Sequence, residues 1–195
     1  MPRYYIIHKP YGMLSQFTKE VPEHRTLGDL YDFPKNVYPV GRLDKDSEGL
    51  LILTDDGSLT HKLLEPKFQH RRTYWVQVEG EPTEADLQNL RKGVKIKLKK
   101  GYYQTLPIEV QLVDKKVVME ERDPPVRFRK SIPTTWLSLT LKEGKNRQVR
   151  KMCAAVGFPV LRLIRMEIED LKLGNLEIGG VEEMKMSDLK KMLRL

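Results

Sequence analysis

PVGRLDKDSEGLLILT, the stretch from Pro39 to Thr54, sets the carboxylate of Asp44 in a polar turn, behind Arg42 and ahead of the apolar run Leu50 to Leu53. The run ends at the turn Asp55-Asp56-Gly57 and reads as a strand. A carboxylate placed where two strand-like segments meet is held by backbone on both sides. That is the rigid mounting reaction chemistry needs, so Asp44 is the candidate nucleophile. A plain polar turn accounts for the same residues, because Asp, Ser and Gly cluster in turns through local hydrogen bonding. An EF-hand calcium loop is the sharper rival, since Asp44, Asp46, Glu48, Gly49 and Asp55 fall near its ligand and glycine positions. That loop requires an amphipathic helix on each side. Here Val37 to Val40 contains Pro39, and Leu50 to Thr54 is strand-like.

Outward from this stretch, Tyr4 to His8 reads as a short strand stopped by Lys9-Pro10, with Tyr11 to Phe17 continuing in extended form. Thr26 can cap a short helix through Tyr31, and Ser58 begins a helix to Leu64 that ends before Pro66. Thr73 to Val78 alternates like a strand. Thr83 caps a helix from Glu84 to Lys92, and Gly93 suits its left-handed exit. Strands are expected at Val94 to Leu98, Ile108 to Val113 and Trp136 to Leu141, and a final short helix over Ser187 to Leu195 with Leu189, Met192 and Leu193 on one face. Between them, Asp114 to Pro133, charged and with three prolines, is expected to be a long loop that carries substrate contacts or is mobile. The order has no regular alternation of strand and helix, which predicts an α+β fold with a large, mainly antiparallel sheet.

The 195 residues make one large domain or two small ones, enough to bury roughly 70% of the unfolded surface. No apolar run approaches the ~20 residues of a membrane-spanning helix, and the N-terminus lacks a signal-peptide pattern, so a cytoplasmic protein with no membrane partner is expected. Cys153 is the single cysteine, which excludes an intrachain disulfide and a cysteine-based zinc cluster. A net charge of +8 favours a polyanionic partner, because every neutralised phosphate releases counterions. Arg122, Arg127, Arg129, Lys130, Lys142, Lys145, Arg147, Arg150, Lys151, Arg162 and Arg165 crowd into one third of the chain, as a binding face would.

Three further blocks accompany Asp44. In Glu143 to Met152, EGKNRQVRKM, a helix beginning near Asn146 would put Val149, Met152, Cys153 and Val156 on an apolar face and Arg147, Arg150 and Lys151 on another, with Gly157 ending it. In Arg72 to Val78, Tyr74 and Trp75 point to opposite sides, and Trp75 is expected in the core. In Gly157 to Arg165, leucine alternates with arginine, placing Leu161 and Leu163 on one face and Arg162 and Ile164 on the other.

Gly41-Arg42-Leu43-Asp44 followed by Ser47 to Thr54 resembles the central motif of the RsuA/RluB/RluE/RluF family of pseudouridine synthases, and the other blocks occur in that family's order. The likeness runs from His8-Lys9-Pro10 to about Leu173 and is nearest to the RluE branch. The features that point there are a start directly in the catalytic region, without a separate N-terminal RNA-binding domain, and an insertion resembling Arg122 to Pro125 with Lys130 to Thr134. One departure is Glu182, near a position where the family usually has an arginine, which argues against an RNA contact from the C-terminal end.

The resemblance implies a pseudouridine synthase fold over residues 1–195: one catalytic domain, with a mixed sheet, flanking helices and a central cleft. It implies Asp44 as the catalytic aspartate, Tyr74 as the tyrosine that stacks on the target base and joins in proton transfer, and Arg150 as the basic partner of Asp44, with Arg147 one helical turn away as the alternative. A guanidinium beside a carboxylate in a water-poor cleft favours its ionised form. Leu163 would line the uridine pocket and Arg42 hold the rearranged RNA strand. Lys145, Arg147, Lys151, Arg162 and Arg165 are left for RNA phosphates. The target uridine would flip from its stack, Asp44 would attack at sugar or base, and no metal or other cofactor would be needed. The implied partner is ribosomal RNA, of the large subunit (23S), and the chain would act as a monomer. A non-catalytic RNA-binding or ribosome-assembly factor with the same basic face is the alternative.

Overall fold

A computed structural model describes residues 1–114, 120–126, 129 and 131–195. In chain order the strands and α-helices are β1 (Tyr4–Lys9), β2 (Tyr38–Pro39), β3 (Glu48–Thr54), α1 (Gly57–Leu64), β4 (Arg72–Glu79), α2 (Glu84–Lys92), β5 (Lys95–Leu98), β6 (Gly101–Gln104), β7 (Glu109–Leu112), β8 (Thr134–Leu141), α3 (Gln148–Ala155), β9 (Val160–Ile168), β10 (Leu171–Lys172), β11 (Val181–Glu183) and α4 (Met186–Met192). Of the strand pairings with a described register, only β3 with β9 is parallel, so the sheet is mixed and mainly antiparallel and the fold is α+β. Two compact units emerge, Met1–His70 with Ile164–Leu195, and Arg71–Leu163.

In the first unit β3 lies between β1 and β9. A central strand covered on both faces needs apolar residues at successive positions rather than alternate ones, and all seven residues of β3 are buried. β1 runs antiparallel to it from Tyr4 opposite Thr54 to Lys9 opposite Gly49, and β11 covers the outer edge of β1. Gly179 and Gly180, in the C-terminal block, exchange backbone hydrogen bonds with His8, so this segment completes the sheet. α1 is capped by Asp56, whose carboxylate accepts from Leu59 N, and buries Leu59 and Leu63. Thr26 heads a single 3₁₀ turn, Leu27–Asp29, shorter than the helix expected there. α4 buries Leu189, and Leu193 after it, but Met192 is exposed, so the expected apolar face is narrower by one residue.

In the second unit β8 pairs with both β4 and β7. Alternation puts Val76 and Val78 of β4 and Leu137, Leu139 and Leu141 of β8 on one face, where they pack with Leu87 and Leu90 of α2 and Val149, Met152 and Cys153 of α3. Tyr74 shares that face. Trp75 is therefore turned away from this core and is half-buried on the other side, which corrects the expectation that it fills the core. α2 has the expected bounds: Thr83 and Asp86 form a reciprocal capping box, and Gly93 leaves at φ +83° against the Thr105 carbonyl, where a Cβ would meet oxygen at 2.3 Å. β5 and β6 form a separate hairpin. Of the expected 114–133 loop, residues 115–119, 127, 128 and 130 lie outside the described residues, Arg127 and Lys130 among them.

Candidate active site

Asp44 sits in the loop between β2 and β3, and that loop is anchored by the segment following β1. The Ser15 hydroxyl grips Leu43 twice, accepting from Leu43 N at 3.0 Å and donating to Leu43 O at 2.8 Å. Gly12 N donates to Lys45 O at 2.8 Å, and Ser47 N donates to Asp44 O at 3.0 Å. Leu43 and Ser47 are buried on either side of Asp44, which is half-buried, while Arg42 is exposed. The backbone at Asp44 is thus fixed from both flanks with its side chain partly open. The stretch is flanked by β2 and β3, so the helices an EF-hand needs are replaced by strands.

Buried charge lies in the same unit. Lys9, at the end of β1, is fully buried, and its ammonium donates to the carbonyls of Pro10 at 2.9 Å and Met13 at 2.7 Å. It thereby holds the 10–13 segment whose Gly12 in turn holds Lys45. Burial pushes the Lys9 pKa down to about 7, against the opposing pull of Glu48, Asp46 and Asp44; Arg165 adds to the lowering. Glu48, the first residue of β3, is itself fully buried. From sequence Lys9 reads only as the stop of a strand; a lysine closing a mainly apolar strand ahead of a proline is the signal of its buried role.

Arg162 and Arg165 correct the expectation of phosphate-facing side chains. They are 4% and 5% exposed. Both lie on an interior strand, where their guanidinium groups serve main-chain carbonyls: Arg162 Nη1 donates to Glu120 O at 2.7 Å and Arg165 Nε to Leu50 O at 2.8 Å. Arg165 also stands opposite Gly49 in the parallel ladder. Gly49 has φ +106°, and a Cβ there would meet Arg165 O at 2.3 Å, so only glycine permits this approach of β9 to β3.

The second unit holds Tyr74, Arg150, Leu163, Lys145, Arg147 and Lys151, while Asp44 and Arg42 belong to the first. α3 begins at Gln148, two residues later than expected, because Arg147 at its N-cap adopts a left-handed conformation, φ +52°. Its apolar face is the expected one, with Val149, Met152 and Cys153 buried and Val156 packed beside them. Arg150, on the same helix, is half-buried and donates from Nη1 to Val160 O at 3.4 Å. Burial raises the Cys153 thiol to about 12, with Arg150 pulling the other way, so this cysteine is not a nucleophile. Leu163 lies in the core cluster that α3 joins, and Tyr74 packs against that cluster, half-buried. Lys145 and Arg147 are exposed and Lys151 half-buried.

The segment before α3 is braced by Glu143. Its carboxylate accepts from Tyr103 Oη at 2.6 Å, Leu106 N at 2.9 Å and Gln148 Nε2 at 2.7 Å, and Gln148 Oε1 accepts from Lys145 N at 2.9 Å. Of the groups that Glu143 holds, Gln148 lies within the same motif, whereas Tyr103 and Leu106 are distant in the chain and invisible to local pattern.

Residues 3–155 match the family model described as RNA pseudouridylate synthase. The chain is 52% identical over 181 residues to the ribosomal large subunit pseudouridine synthase E of Vibrio parahaemolyticus, covering 93% of this chain and 73% of that protein. It is 52% identical over 169 residues to the protein of the same name from Xanthomonas axonopodis pv. citri, covering 86% of each. Among solved structures, a pseudouridylate synthase crystal structure superposes with a TM-score of 0.79 at 27% identity, covering 98% of this chain and 74% of that one. The chain belongs to the RNA pseudouridylate synthase family.

Proposed function

We propose that the protein converts a specific uridine of large-subunit (23S) ribosomal RNA to pseudouridine, with Asp44 as nucleophile and no cofactor. The relatives at 52% identity carry the name of large-subunit enzymes, which supports the choice of RNA. The observation that carries the role of Asp44 is its mounting. Ser15, Gly12 and the Lys9 ammonium fix the loop through main-chain atoms, leaving the carboxylate half-buried and its position set before substrate arrives. In the reaction the Asp44 carboxylate bonds to the sugar or the base and is later released from it, the C1′–N1 bond breaks, the uracil turns, and a C5–C1′ bond forms. The C5 proton leaves to solvent and N1 takes one up.

By the motif match, Arg150 is assigned as the basic partner of the catalytic aspartate, and Tyr74 as the ring that stacks on the extruded base and exchanges a proton with it. The motif match assigns Leu163 as the apolar wall of the pocket, and it lies in the core cluster that Tyr74 joins. Arg42, exposed beside Asp44, holds the displaced strand, and Lys145, Arg147 and Lys151 take phosphates. Extrusion costs a few kcal/mol, which phosphate contacts and base stacking offset.

The test is release of tritium from uridine labelled at C5 in unmodified ribosomal RNA, comparing the wild type with Asp44→Asn. Release by the wild type alone is the expected result. Equal release by both removes Asp44 from the chemistry, and none from either leaves an RNA-binding protein without this activity.

A further inference from the structure

A run of positive charge lies outside every motif discussed so far. Between Asp86 and Glu109 the chain carries Arg91, Lys92, Lys95, Lys97, Lys99 and Lys100 and no acidic residue. Arg91 is spent within the unit, on Val110 O and Glu84. The lysines, by contrast, are all exposed. Lys95, Lys97, Lys99 and Lys100 belong to the β5–β6 hairpin and its turn.

Its register makes the hairpin two-faced. Lys95 lies opposite Gln104 and Lys97 opposite Tyr102, all exposed, while Ile96 lies opposite Tyr103 on the face that packs into the core. On the outer face Tyr102 is 70% exposed, with Lys95 Nζ 5.0 Å from its ring centre. On the inner face Tyr103 donates to Glu143, and Lys145 Nζ stands 4.9 Å over its ring. The hairpin is thereby tied to the segment that starts α3.

We propose that the β5–β6 hairpin is an RNA-docking arm, in which Lys97, Lys99 and Lys100 bind phosphates of the substrate RNA outside the target nucleotide and Tyr102 offers its ring to an unpaired base. Lysines alone would equally suit a solvated surface or an acidic protein. An exposed aromatic ring among them is what favours RNA, because stacking on a base uses a ring face that an acidic peptide leaves idle. The inference rests on the RNA-modifying function proposed above and adds where the RNA lies.

The experiment uses the full chain and two RNAs, poly(U) and unmodified ribosomal RNA, with binding measured across a salt series. Neutralising Lys97, Lys99 and Lys100 together to Gln should flatten the dependence of log K on log salt by about 0.7 to 0.9 per contact on both RNAs. A control with Lys35, Lys185 and Lys191 changed to Gln matches the loss of charge on exposed lysines elsewhere and should keep the wild-type slope. Tyr102→Leu should weaken poly(U) binding about tenfold, and Tyr102→Phe should not. An unchanged slope in the hairpin variant, or an equal loss in the control, overturns the arm. Flattening confirms it even if the wild type releases no tritium from ribosomal RNA, a result that would count against the proposed reaction alone.

Discussion

In the first unit the loop carrying Asp44 is fixed mainly by buried groups, whereas in the second Lys145 and Arg147 stand in solvent ahead of α3, beside the half-exposed Glu143 and Tyr103. Ser15, Lys9 and Glu48 are buried, and the hydrogen bonds described for Ser15 and Lys9 run to main-chain atoms. Glu143 and Tyr103 are half-exposed and brace side chains and one amide. Bond making needs a carboxylate held to a fraction of an ångström, and burial supplies that rigidity; phosphate binding needs charge that can keep its water until RNA arrives. Substitutions in the frame of the Asp44 loop should therefore be costly and those in the frame ahead of α3 graded.

The sharpest way to break this contrast is Asp44→Asn. It keeps the size of the side chain and the backbone bonds of the loop, so the protein should fold as before while tritium release falls by at least about a thousandfold. A variant that stayed active would leave the rigid loop without a chemical purpose.

Gly49→Ala follows. At φ +106° and with the Arg165 carbonyl 2.3 Å from the new methyl position, it must strain the backbone and push β9 from β3, costing upwards of about 3 kcal/mol in urea unfolding. A loss below about 1 kcal/mol would mean that the β3–β9 approach tolerates movement.

Lys9 gives the first unit a pH signature. With its folded pKa lowered from 10.5 to about 7, the unfolded chain binds more protons between those values, so stability rises with pH across that window. Between pH 7 and 9 the gain should be about 2–3 kcal/mol, and Lys9→Met, which removes the titrating group, should abolish it. Urea midpoints at pH 6, 7, 8 and 9 decide the point; equal slopes in both proteins would exonerate Lys9.

The same contrast governs what could be read from sequence. β3 was legible because its apolar run can satisfy only a covered strand, and α2 because Thr83, Asp86 and Gly93 are local signals acting over a few residues. Arg162 and Arg165 were misread because an arginine written among leucines looks the same whether its partner is water or a carbonyl, and their carbonyls, Glu120 and Leu50, lie far away in the chain. Trp75 was misplaced because strand parity separates it from Tyr74 without saying which side is core. The 43–47 loop shows Asp44 plainly, yet Ser15, which holds it, carries no motif of its own, and Lys9 reads from sequence only as the stop of a strand.

Tyr103→Phe tests the graded side. The ring remains beneath Lys145, so the cation–π contact at 4.9 Å survives, and Glu143 keeps its bonds from Leu106 and Gln148. Only the 2.6 Å hydroxyl bond is lost, and the Glu143 oxygen it leaves can take water, so stability should fall by on the order of 1 kcal/mol. The hydrogen bond to Glu143, and secondarily burial, raise the Tyr103 pKa above the ordinary tyrosine value. The wild type therefore holds this contribution below pH 10 and loses it as pH rises through the higher folded value, a step the variant should lack. If Tyr103→Phe cost as much as Gly49→Ala, the bracing of α3 would be as rigid as the Asp44 loop, and the contrast between the two frames would not hold.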